Sequence, residues 1–188
     1  MIEQSDVRRL LNGRYNYYIA IGLLLLIILF FSYIVRTMKI LMAIAVFIAL
    51  NIAIKRAMMA IDFIPLDLEF ATIGTILMTV AFGLKAGILT GVLCCVLGAY
   101  FSDKITIYVP VTASCYVLAA VLAWLLASAS SIVVTGIIIT LLVNAYALFV
   151  FHFVGFTPFE NVTYVASNIA LNLLLFLKVA PWAMAILK

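Results

Sequence analysis

Apolar positions follow one another in long runs from Tyr15 to the C-terminal region, and the few polar residues between them mark where helices should end. The runs show no alternation of period two, so strands are not expected, and about 20 residues of continuous apolar helix cross a bilayer core. Residues 1–14, MIEQSDVRRLLNGR, form a polar, basic lead. A first span is predicted over 15–35, with Tyr15, Tyr17 and Tyr18 placed as an interfacial aromatic anchor. Arg36 and Lys39 are expected to close it, and a second span follows from Ile40 to about Ala60. The segment IDFIPLDLEF then reads as a loop carrying Asp62, Asp67, Glu69 and Pro65. Residues 71–101 are too many for one crossing, and the stretch from Gly83 to Gly87 around Lys85 predicts a turn between two. Asp103 and Lys104 close that pair. Further spans are predicted over 107–127, 132–154 and 162–187, separated by the turn SASS (128–131) and the loop GFTPFEN (155–161), with Pro181 near the last helix's end. The expected fold is an all-α, polytopic membrane helix bundle: six spans over 36–188, preceded by one extra transmembrane helix.

Composition strengthens the membrane reading. The chain of 188 residues is 69% hydrophobic and 10% charged, with a mean hydropathy of +1.36, against roughly 45–50% apolar and about 25% charged in soluble domains. The net charge of +4 is ascribed to ends and loops facing lipid headgroups, and no nucleic-acid partner is expected. Cys94, Cys95 and Cys115 lie in apolar segments without metal or redox spacing and read as lipid-buried thiols. The first apolar run is too long for a signal peptide and lacks a small-residue cleavage site. Charge does not decide the topology. If the C-terminus is cytoplasmic, loops 61–69 and 155–161 share the outer side with Arg8, Arg9 and Arg14, which the positive-inside rule disfavours.

Enzymatic chemistry lacks its parts. A single histidine, His152, cannot supply paired haem ligands or a multi-histidine metal site. Ser128, Ser130 and Ser131 sit in a turn with no G-x-S-x-G context. No glycine-rich phosphate loop is present, so any ATP use must reside in another chain. No enzyme, metal or cofactor is therefore expected.

Two rows of small residues remain to be explained. In AIAVFIALNIAIKRA, Ala45, Ala49 and Ala53 recur every four residues. Each four-residue step drifts by only about 40°, so the three share one smooth helix face. In lipid, such faces let helices approach closely, either inside a bundle or against an external partner. Asn51 lies about 180° from the row, with Lys55 one turn beyond it. Polar side chains in a span face protein or water; if these two face inward, the alanines face outward as a docking surface. The second row, Gly83, Gly87 and Gly91, continued by Cys95 and Ala99, is expected to pack internally.

Polar stripes suggest a binding site. Asn161, Asn168 and Asn172 fall within about 40° of one another, while Thr140, Asn144 and His152 occupy one broad face of the preceding helix. With Asn51 and Lys55 these give three polar interior faces. Amides both donate and accept, which suits a small organic ligand, and equally suits ties between helices.

Taken together, the segment from about Arg36 onward resembles the substrate-binding S components of energy-coupling factor (ECF) transporters. The likeness rests on six spans, the A-x-x-x-A row, the acidic loop after it, the F-G-x-x-x-G-x-x-x-G passage and the pattern NVTYVASNIALNLLLFLK. The resemblance implies a multi-pass cell-membrane protein that captures a vitamin or similar micronutrient. It further implies docking on a T component joined to two ATPase subunits, through Ala45, Ala49 and Ala53, with loops 61–69 and 155–161 capping the site. Metal-specific members of that family are expected to use a histidine close to the N-terminus, and residues 2–14 contain none, so the resemblance implies an organic ligand rather than nickel or cobalt. The competing reading is a non-transporting scaffold similar to the membrane protein of bacterial rod-shape morphogenesis. A self-contained carrier is disfavoured, because Asp62, Asp67, Glu69 and Glu160 are assigned to loops rather than mid-span.

Overall fold

A computed structural model describes residues 4–59, 68–102, 105–106 and 108–187, with side chains described at 18 and from 21 onward. Asp62, Pro65, Asp67, Asp103, Lys104 and the side chains of Arg8, Arg9, Arg14, Tyr15 and Tyr17 lie outside the described residues. Among the described residues seven helices follow in order: α1 Gln4–Met59, α2 Ala71–Phe82, α3 Leu84–Phe101, α4 Tyr108–Leu126, α5 Ile132–Val154, α6 Pro158–Lys178 and α7 Ala180–Leu187. No strand occurs among the described residues. The chain is a membrane-embedded helical protein. Four described helices are long and apolar enough to cross a bilayer, five if α6 and α7 form one bent span.

The expected break at Arg36 and Lys39 is absent. Both lie within α1, which runs unbroken from Gln4 to Met59. Neither glycine nor proline occurs between Gly22 and Pro65, and arginine and lysine are good helix formers. The chain divides into two compact units, Met1–Leu41 and Met42–Lys188. The first is helical throughout its described part, and its large apolar side chains from Leu23 to Phe31 are exposed.

The second unit is the bundle. Consecutive helices from α2 to α6 pack on one another, and α7 touches α2, α5 and α6. Gly83, at φ +97°, makes the reversal between α2 and α3, a conformation that a side chain disfavours. Gly87 and Gly91 then lie so close to Thr79, Thr75 and Tyr116 that a Cβ at either would collide with them. The second small-residue row thus packs internally, as expected. Thr75 and Thr79 satisfy their hydroxyls on the carbonyls of Ala71 and Thr75, at 2.7 and 2.8 Å, which suits a helix with no water to meet. In the C-terminal part of α1, Phe47 and Ile48 pack against Ala71, Cys94, Cys95 and Tyr116.

Other boundaries shift for local reasons. Ser131 caps α5, its side chain accepting from Val134 N–H. The loop expected over 155–161 is shorter, because Thr157 and Glu160 form a reciprocal capping box and Pro158 opens α6. The last predicted span bends by 59° between α6 and α7. Pro181 disfavours helix in the residue before it and removes a backbone donor, so the bend falls around Val179.

Candidate functional site

α2 has 12 residues and α3 has 18. At about 1.5 Å per residue, the six-residue difference sets the start of α2 roughly 9 Å below the end of α3. The bonding agrees: Phe70, at the start of α2, and Cys94, seven residues before the end of α3, meet the same side chain. Asn51 Nδ2 donates to Cys94 O at 3.0 Å, and Asn51 Oδ1 accepts from Phe70 N–H at 3.0 Å. One amide from α1 therefore caps α2 and ties it to α3. Gly98 lacks the Cβ that would press on this amide.

The recessed start of α2 leaves a pit walled by α1, α3, α4 and α6. Its volume is about 130 Å³, and Asn51, Lys55, Glu69, Tyr108, Tyr116 and Tyr164 line it, with Cys95 and Ala99 continuing the small-residue row. A second void of about 20 Å³ shares Glu69, Thr112, Tyr116 and Tyr164 with the first and reaches Asn144 and Asn168. It has room for one water and little else. Phe156, in the loop after α5, stacks on Phe151 and meets Tyr108 edge-on, and Tyr164 meets Phe151. An aromatic cluster thus closes this end of α4, α5 and α6.

Glu69 is the centre of the site, and it is 2% exposed. The Tyr116 hydroxyl donates to its Oε2, Thr72 Oγ1 donates to Oε1 at 3.0 Å, and Asn168 Nδ2 approaches Oε1 at 3.3 Å. Lys55 Nζ lies 3.7 Å from Oε2. A carboxylate buried in a bundle is tolerated only when paired and hydrogen-bonded, and the N-terminus of α2 beside it favours negative charge. Glu69 lies in the non-helical segment before α2, as expected, but that segment enters the bundle and its carboxyl is buried.

The amides behind Glu69 continue the polar line. Asn144 Nδ2 donates to Asn168 Oδ1 at 2.9 Å, and Asn172 Nδ2 reaches the same oxygen at 3.1 Å. One turn further along both helices, Thr140 Oγ1 and Asn172 Oδ1 are buried with no hydrogen-bond partner among the described residues.

Of the residues expected at a site, Asn51 and Lys55 line the larger cavity, and Asn144 and Asn168 the smaller. Asn172 stands behind Asn168. Asn161 is buried and donates to Leu148 O at 2.8 Å, and it borders an outer groove with His152 instead. His152 is exposed and does not join Thr140 and Asn144; eight residues from Asn144 turn it about 80° off their face. Ala45, Ala49 and Ala53 are exposed. Missed from sequence were Glu69, Thr72 and the tyrosines at 108, 116 and 164. The spacing of Glu69 and Thr72, a carboxylate three residues before a hydroxyl at the start of an apolar helix, was the available signal.

Among the described residues, no group of three His, Cys, Asp or Glu side chains could hold a metal ion. Comparison with models of protein families, with curated proteins and with solved structures finds no match.

Proposed function

We propose that the bundle is the substrate-capture subunit of an uptake system in the cell membrane, binding a small organic ligand of vitamin or micronutrient type and docking on a T component driven by two separate ATPase subunits. The observation that carries this reading is the two-sidedness of α1 within the bundle. Asn51 and Lys55 turn to a walled cavity, while Ala45, Ala49 and Ala53, on the opposite face, are exposed. Lipid gives no reason to keep an exposed face smooth, whereas a partner helix packs closely on one. The cavity combines a few convergent polar groups with aromatic walls, as ligand sites do.

The test is purification with a candidate T component, with mass spectrometry of the gently purified protein. Ala49→Trp should abolish co-purification and leave a stoichiometric bound metabolite in place. Co-purification that survives the tryptophan would sink the docking assignment. Partner recruitment with no retained metabolite would support the scaffold reading, in which the amides only tie helices together.

A further inference from the structure

We propose that the pit selects an uncharged, single-ring molecule and reads its hydrogen-bonding edge with two hydroxyls of α4, those of Tyr108 and Thr112. The inference deepens the capture reading above and rests on it.

Most polar groups around the pit are already engaged inside the protein. Asn51 bonds Cys94 O with one end of its amide and Phe70 N–H with the other. Both oxygens of Glu69 are held, by Tyr116, Thr72 and Asn168, and Ser102 donates to Gly98 O at 2.7 Å. Tyr108 and Thr112 differ. Both line the pit, and neither hydroxyl bonds to another group among the described residues. A threonine inside a helix commonly returns its hydroxyl to the carbonyl four residues back, as Thr75, Thr79 and Thr90 do here. Thr112 does not. The two residues stand four apart on α4, about 6 Å along the axis and within about 40° of one another, so they share one wall. Phe156 fixes the Tyr108 ring edge-on, at 4.6 Å between centroids, and Thr112 borders both the pit and the smaller void.

Size and charge narrow what this wall can read. About 130 Å³ is close to the roughly 150 Å³ cavity that holds one benzene, so one ring fills the pit and its substituents point to the mouth. Lys55 and Glu69 face each other across 3.7 Å and belong to the protein's own network. A ligand with a net charge would therefore leave water without an unengaged counter-charge to meet among the described residues. An apolar ring would strip water from both hydroxyls and return nothing. A neutral ring bearing an amide, carbonyl or ring nitrogen satisfies them, because a hydroxyl both donates and accepts.

The test uses the whole protein in lipid nanodiscs, with empty nanodiscs as the blank, and isothermal calorimetry with two matched sets of probes. One set is benzamide, benzoate, benzylammonium and toluene; the other carries the same four substituents on pyrazine. In each set the amide should bind about tenfold or more tightly than its anionic, cationic and methyl twins, the expected gain for two neutral hydrogen bonds. Tyr108→Phe and Thr112→Val should each weaken the amide about fivefold, the loss of one such bond, and leave the methyl compound unchanged. Neither should lower the unfolding midpoint, since neither hydroxyl serves the fold, and Thr112→Ser should bind as the parent does. A charged twin that matches its amide, amide binding indifferent to both variants, or no binding by any probe overturns the inference. A retained metabolite with a net charge would overturn it while leaving the capture reading intact. Failure to recruit a T component would strike the capture reading and leave these affinity ratios standing.

Discussion

Two helix pairs of the bundle solve the same problem with opposite means. α2 and α3 meet through Gly87 and Gly91, whose missing side chains admit Thr79 and Thr75 of α2, with Tyr116 of α4 also against Gly91, and the threonines bond within their own helix. That interface is held by shape. α5 and α6 also begin with a close approach, Gly136 against the ring of Phe176, but are then cross-linked by Asn144 to Asn168 and by Asn161 to the Leu148 carbonyl. The first interface should be intolerant of added volume, the second of lost pairing. Glu69 stands between them, bonded to Tyr116 on α4 and to Asn168 on α6, so the polar site lies where shape-held and amide-held helices join.

The sharpest way to break the contrast is to add volume to the first pair. Gly91→Leu drives a side chain into Thr75 and Tyr116 and should cost about 3 kcal/mol, the upper range for overpacking, read as the loss of unfolding free energy in mixed micelles. Removing pairing from the second should rank next. Asn168→Leu strips Glu69 and Asn144 of a partner and should cost about 2 kcal/mol, since buried polar groups are left unmatched. A cycle with Asn144→Leu should then show a coupling of about 0.5–2 kcal/mol; strict additivity would mean that the two amides do not act as one unit. At the other extreme, Ala49→Leu adds an isopropyl group to an exposed face and should change unfolding by no more than about 0.5 kcal/mol.

Local signals were readable in proportion to how local their cause was. Gly83, the turn 128–131 and the limits of α4 and α5 emerge from the sequence because glycine geometry, a serine cap and an apolar run act within a few residues. The orientation of Asn51 against Ala45, Ala49 and Ala53 was also legible, since helical periodicity alone fixes which residues share a face. The continuity of α1 was not. Arg36 and Lys39 read as interfacial charges, yet nothing there stops a helix. Glu69 was invisible for a different reason. Asp62, Asp67 and Glu69 look alike in composition, and the six-residue shortfall of α2 against α3 that carries Glu69 into the interior is a property of two helices, not of the segment itself. His152 failed in the other direction, grouped with Asn144 by a face too broadly drawn.

The amide of Asn51 carries a constraint on what this position tolerates. Its oxygen accepts a hydrogen bond from one chain segment while its nitrogen donates one to another. Aspartate would keep the acceptor and set a second oxygen against the Cys94 carbonyl; leucine would silence both ends. Glutamine carries the same amide one methylene further out. Asparagine alone offers both polarities at that reach, leaving this code word little room for neutral drift.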